Sequence, residues 1–129
     1  MSGKYLLDTN IVIATFSQDV AVAVKLSTAA EVFVPSIVIG ELYFGAYKST
    51  RIQDNITRTT EFIAANTILV CDVNTAQFYG QIKNALKVKG RPIPENDMWI
   101  AAVAMQHDLT LVSRDAHLGE VEGLKLEAW

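Results

Sequence analysis

Cysteine is almost missing from this chain of 129 residues: Cys71 stands alone, so no internal disulfide can form. Its place in an apolar run suits a small buried residue better than a nucleophile. Proline and glycine are scarce, at 3 and 7, which argues against low complexity, and no repeat or linker interrupts the chain. Long hydrophobic runs are absent as well. Nothing approaches the roughly 18 apolar residues that a membrane helix needs, and the stretch from Met1 meets Asp8 before a signal-peptide apolar region can form. The expectation is a soluble, cytoplasmic protein with no membrane partner. A basic excess is also lacking: a net charge of -3 gives nucleic acid no attraction over the whole surface, so any such partner must be met locally.

What is present is globular in character, with 50% hydrophobic and 19% charged residues. The length fits a single domain spanning residues 1–129, able to bury roughly two-thirds of the surface of its unfolded form.

Tyr5-Leu6-Leu7 reads as a buried strand that delivers Asp8 at its carboxyl end, and Thr9 or Asn10 can cap the short helix Ile11 to Phe16. Val20 to Ala30 suits another helix, and Val32-Phe33-Val34 a second strand stopped by Pro35-Ser36. Ser36 is the expected N-cap of a helix to about Lys48, followed by one from about Arg51 to Ala65. Thr67 to Val70 is a third strand. Asn74 and Gln77 resemble a capping box that opens a helix from Thr75 to about Lys89, closed by Gly90. Arg91-Pro92-Ile93-Pro94 is a rigid extended connection, since proline fixes its own φ and biases its predecessor away from helix. Leu109 to Val112 is a fourth strand ending at Ser113-Arg114-Asp115, and Leu124 to Leu126 an edge strand. Strands alternating with helices predict an α/β fold with a parallel sheet covered on both faces. Ligands bind such sheets outside the carboxyl ends of the strands, where Asp8 and Asp115 both fall.

Two further acids join them. Asp97 lies on the stripe of Ile100, Ala101 and Ala104 in a helix whose start signals are Pro94 and Asn96, so its carboxylate shares the apolar side; there it also suits the positive end of the helix dipole. Glu41 is flanked on its helical face by Ile37, Val38, Phe44 and Gly45. An ionised carboxylate in such a place costs several kcal/mol to desolvate unless a cation or hydrogen-bond donors compensate. Oxygen ligands without nearby Cys or His favour Mg²⁺ or Mn²⁺ over zinc. Such ions activate water and stabilise the in-line transition state of phosphodiester hydrolysis, one or two at a time. They also reverse the local charge, so an acidic protein can hold a polyanion.

Leu6-Leu7-Asp8-Thr9-Asn10, Pro35-Ser36 with Gly40-Glu41-Leu42, Pro94 to Asp97 with Ile100-Ala101-Ala102, and Leu111 to Asp115 together resemble the PIN-domain ribonucleases, and among them the VapC-type toxins of toxin–antitoxin pairs. The resemblance runs in the right order over nearly the whole chain. It implies a three-layer α/β/α sandwich with a mostly parallel central sheet and an acidic pocket that binds Mg²⁺ or Mn²⁺ and cuts single-stranded or loop RNA. Asp8, Glu41, Asp97 and Asp115 would be the catalytic, metal-binding quartet, with Thr9 and Ser113 supporting it by hydrogen bonds. It also implies a homodimer silenced by a cognate antitoxin. This chain carries Ser113 and Asp115 where related chains carry Thr or Asn, so Asp115 is the acid whose direct ligation the match secures least.

Lys83, Lys87, Lys89 and Arg91 form a basic run that would meet RNA, or else a solvated helix face; Lys48, Arg51 and Arg58 form a looser second one. His107 ends a helix; His117, two residues after Asp115, either lines the pocket mouth or, the better reading, lies in a surface loop. Met98 and Trp99 read as core, and Tyr43, Phe44 and Tyr47 as a core stripe or a dimer face. Two other functions fit the same pattern of strand-end acids: an Asp-based phosphotransfer domain, and a non-catalytic protein-interaction module. The first lacks the paired acids it requires after the first strand. Retention of all four acids weighs against the second.

Overall fold

A computed structural model describes residues 3–129. The first strand, β1 (Lys4–Leu7), is followed by two helices, α1 (Thr9–Phe16) and α2 (Val20–Thr28), before β2 (Glu31–Pro35). Helices α3 (Ser36–Tyr47) and α4 (Ile52–Ala65) lead to β3 (Thr67–Leu69); α5 (Val73–Lys89) and α6 (Glu95–Gln106) then lead to β4 (Thr110–Val112). A short 3₁₀ helix, Ala116–Glu120, precedes the edge strand β5 (Leu126–Glu127).

The sheet runs in the order β3-β2-β1-β4-β5, and all four pairings are parallel. From β1 the chain builds outward through β2 and β3, then crosses to the other side for β4 and β5. The strand order therefore reverses between β1 and β4, and in open parallel sheets the crevice at such a reversal is where ligands bind. Leu6, Leu7, Val34, Leu111 and Val112 are buried on the central strands, as near-continuous apolar runs in a sheet covered on both faces require. Helix α6 is the most enclosed helix. Ile100, Ala101, Ala102, Val103 and Ala104 are all fully buried, and the alanines let it approach its neighbours closely.

The helix ends depart from expectation in instructive ways. Asp8 itself is the N-cap of α1, accepting from the Thr9 N–H, so the helix begins at Thr9 rather than after Asn10. Pro35 is the N-cap of α3, and Ser36 is already helical. The capping box of α5 is Asp72 with Thr75, two residues before the expected Asn74 and Gln77 pair. Gly90 closes α5 at φ 72, a left-handed conformation that glycine adopts without a Cβ clash. No single helix among the described residues is long and apolar enough to cross a membrane.

Candidate functional site

Four acids converge on the reversal point from four different elements. Asp8 caps α1 directly after β1, and its backbone N–H donates to the Val112 carbonyl of β4 at 3.0 Å, which stitches the two strand ends together. Only 4% of its surface is exposed. The carboxylate is held on both sides: Oδ1 accepts from the Thr9 N–H at 2.8 Å and Oδ2 from the Ser113 hydroxyl at 2.7 Å. Burial pushes the Asp8 carboxyl above the usual carboxylate range; those two hydrogen bonds oppose the rise, and the charges of Asp97 and Glu41 add to it.

Glu41 enters from α3. The Thr9 hydroxyl donates to its Oε1 at 2.5 Å, and the Asn96 amide of α6 reaches its Oε2 at 3.5 Å. Thr9 thus links Asp8 and Glu41 through two groups of one residue, its backbone N–H and its hydroxyl. Asp97 stands in the first turn of α6 with its side chain 13% exposed, on the stripe that Ile100, Ala101 and Ala104 bury. Asp115 follows β4, and its backbone N–H donates to the Ser113 hydroxyl oxygen at 3.0 Å. Ser113 is buried and sits between the two aspartates as both donor and acceptor. Asn10 adds a brace: its side-chain oxygen accepts from the Arg114 N–H at 3.1 Å.

His117 is not the bystander in a surface loop that its sequence position suggests. The 3₁₀ helix turns its ring back over the acids, with Nε2 2.6 Å from Asp97 Oδ2 and Nδ1 2.8 Å from Asp115 Oδ1. The hydrogen bond to Asp97 raises the imidazole above its ordinary pKa, burial opposes this, and the charges of Asp115, Asp97 and Asp8 raise it further. Among the described residues no Lys or Arg forms an ion pair with any of the four acids.

The basic run lies partly beside this cluster. Lys83 pairs with Glu95 at 3.0 Å, two residues before Asp97, and donates to the Tyr79 hydroxyl at 3.1 Å. Lys89 turns toward Glu120, at 3.3 Å. Lys87 and Arg91 are exposed at the corner where α5 gives way to α6. Of the second run, Arg51 pairs with Asp54, Arg58 lies over the Phe16 ring and Lys48 over the Phe44 ring. Met98 is core, whereas Trp99 is partly buried and stacks on Tyr79 with centroids 4.0 Å apart. Phe44 and Tyr47 are exposed, and Phe44 lines a groove with Ile13, Ile37, Lys48, Glu41 and Asn96.

Residues 5–124 match the model of the PIN domain. The chain is 38% identical over 129 residues to Ribonuclease VapC2 of Haemophilus influenzae, with 98% of each chain covered. It is 31% identical over 129 residues to the tRNA(fMet)-specific endonuclease VapC of Shigella flexneri, again with 98% of each covered. Among solved structures, DNA-bound VapBC of Salmonella typhimurium superimposes with a TM-score of 0.91 at 27% identity, over 100% of this chain and 99% of that one.

Proposed function

The chain belongs to the PIN-domain family, among its VapC-type members, and from that membership we propose that it is an endoribonuclease acting as the toxin of a toxin–antitoxin pair. The observation that carries the proposal is the meeting of Asp8, Glu41, Asp97 and Asp115 at the reversal of strand order, with no Lys or Arg paired to them among the described residues. His117 pairs with Asp97 and Asp115, whereas buried Asp8 and neighbouring Glu41 have no basic partner among the described residues, and a metal ion would offset the repulsion that remains. An all-carboxylate quartet fits a hard divalent ion, Mg²⁺ or Mn²⁺.

When bound, the cation lowers the pKa of an attacking water and neutralises charge on the scissile phosphate. The chain's own residues prepare for this. Asp8, Glu41, Asp97 and Asp115 supply the holding oxygens. Thr9 fixes Asp8 and Glu41 relative to one another, and Ser113 fixes Asp8 relative to the Asp115 backbone, so the carboxylates are oriented before any ligand arrives. Lys87, with Lys83 and Lys89 on the same helix, and Arg91 in the turn after it take the phosphate backbone of single-stranded or loop RNA.

A protein antitoxin is the expected partner, since the similar VapBC-5 of Mycobacterium tuberculosis, 25% identical with a TM-score of 0.76, belongs to the VapBC family of toxin–antitoxin systems. The groove of Ile13, Ile37, Phe44 and Lys48 runs past Glu41 and suits an apolar segment that would block the site. Exposed Phe44 and Tyr47 on α3 suit a homodimer face. The decisive experiment incubates the purified, antitoxin-free chain with labelled RNA in Mg²⁺, Mn²⁺ or chelator. Cleavage should require the metal and disappear in Asp97→Asn; metal-dependent cleavage that persists in that variant would sink the site. Binding of a protein partner with no cleavage would favour the interaction module instead.

A further inference from the structure

The quartet leaves His117 without a task, although it is the one basic side chain that pairs with the acids among the described residues. Its ring spans two carboxylates brought by different elements: Asp97 from α6 through Nε2, and Asp115 from the end of β4 through Nδ1. The ring is aimed by an anchored segment. Leu118, the next residue, is fully buried, and its backbone N–H donates to the Asp115 carbonyl at 3.4 Å. One donor atom each from Asp97, Asp115 and His117 lies within 4.8 Å of the others. Each ring nitrogen therefore faces one carboxylate oxygen, so the ring and the two acids converge on one small volume.

We propose that His117 is a nitrogen ligand of the metal centre: Nε2 and the Asp97 carboxylate hold one ion, while Asp115 accepts from Nδ1–H and orients the ring. The inference rests on the metal-dependent nuclease reading and specifies which ion that site prefers. Nε2 and the Asp97 carboxylate, 2.6 Å apart, are the two groups that would hold the ion. A metal-bound histidine whose other ring N–H is held by a carboxylate is a common arrangement, because the carboxylate fixes the tautomer and raises the basicity of the ligand. It also changes the role of Asp115, from a direct ligand to the group behind one.

Selectivity follows from the donor set. Mg²⁺ strongly prefers oxygen, whereas Mn²⁺ and the later divalent metals accept imidazole nitrogen. A site of carboxylates and one imidazole therefore discriminates for Mn²⁺ over Mg²⁺, which an all-carboxylate quartet does not.

The test uses binding and spectroscopy, with no RNA present. Metal-free wild type, His117→Gln, Asp115→Asn and Asp97→Asn are titrated with Mn²⁺ and with Mg²⁺ by calorimetry, and the Mn²⁺-loaded samples are examined by pulsed electron paramagnetic resonance. The wild type should show ¹⁴N modulation from a coordinated imidazole, and His117→Gln should not. His117→Gln should weaken Mn²⁺ binding by about tenfold or more and Mg²⁺ binding by less than about twofold. Asp115→Asn should keep the ¹⁴N signal with weaker Mn²⁺ binding. Stoichiometric Mn²⁺ in the wild type without ¹⁴N modulation overturns the inference alone. Equal losses for both metals in His117→Gln overturn it too. Mn²⁺ binding that Asp97→Asn leaves unchanged removes the acidic site itself. Because the spectrum of the wild type needs no substitution, a variant that fails to fold does not rescue the proposal.

Discussion

The Ser113 hydroxyl donates to Oδ2 of Asp8 at 2.7 Å, across 105 residues of sequence, and its oxygen accepts from the Asp115 N–H at 3.0 Å. One buried hydroxyl therefore sets the position of an acid on β1 against an acid after β4, at the point where the strand order turns round. Ser113→Ala leaves a buried carboxylate oxygen without its donor. It should cost about 1–3 kcal/mol in urea unfolding and cut RNA cleavage more than tenfold at saturating metal, roughly the rate effect expected when a metal-site support is removed. Ser113→Thr, which keeps the hydroxyl, should retain most of both.

Asp8 predicts a dependence on metal and pH together. Its folded pKa is raised, so the ionised form is disfavoured in the fold: the stability is fully present below its ordinary value near 3.8 and is lost as pH rises through the raised one. In chelator, Asp8→Asn should therefore lose less stability than the wild type as pH rises above about 4 toward neutrality. It should also abolish the rise in melting temperature that Mn²⁺ gives the wild type. Thermal unfolding with and without metal checks both; a metal-induced shift of equal size in the variant would remove Asp8 from the site.

His117 has the opposite chemistry and the same sign. Its folded pKa is raised, so its pairing contributes below the ordinary value near 6.5 and is lost as pH rises through the raised one. The side chain is 40% exposed, which keeps the contribution under about 1 kcal/mol. Metal-free wild type should lose a small increment of melting temperature between neutral and mildly alkaline pH that His117→Gln does not lose.

Lys87 and Arg91 are exposed, while Lys83 and Lys89 are engaged by Glu95 and Glu120. Lys87→Glu with Arg91→Glu should weaken RNA binding and lower the slope of log affinity against log salt by about 2, one unit for each phosphate that is no longer neutralised. An unchanged slope would make this corner an ordinary solvated surface.

Gln18 tests the fold away from the site. It follows the C-cap of α1 at φ 59, a left-handed conformation that costs a residue with a Cβ. Gln18→Gly relieves about 1–2 kcal/mol of strain and loses about 0.5–1 kcal/mol to the greater freedom of glycine in the unfolded chain, so stability should rise by about 0.5–1 kcal/mol with cleavage unchanged.

Much of the fold and of the acidic site is legible in the sequence, for identifiable reasons. The strands carrying Asp8 and Asp115 are short apolar runs ended by polar residues, and a buried parallel sheet leaves that imprint directly. The period of Ile100, Ala101 and Ala104 places Asp97, and the packing of α6 preserves it. The capping box slips by two residues because Asp72 and Asn74 both offer an N-cap oxygen. Local chemistry ranks them equally, and Asp72 is further held by the Gln106 amide from α6. Asn96 has the local character of a helix-start residue, but its side chain reaches Glu41, on a helix 55 residues earlier. His117 is hidden for the same kind of reason. Its spacing from Asp115 is visible, but the turn that folds its ring over the acids is fixed by the burial of Leu118, a tertiary contact with no period of its own.

The pairing of β1 with β4 also has a bearing on timing. Asp8 leaves the ribosome early, but the backbone group that receives its N–H belongs to Val112 and its side-chain donor to Ser113. Contacts between such distant parts of a chain are slow to close, since the loop entropy must be overcome first. The four acids can therefore come together only after nearly the whole chain has been made.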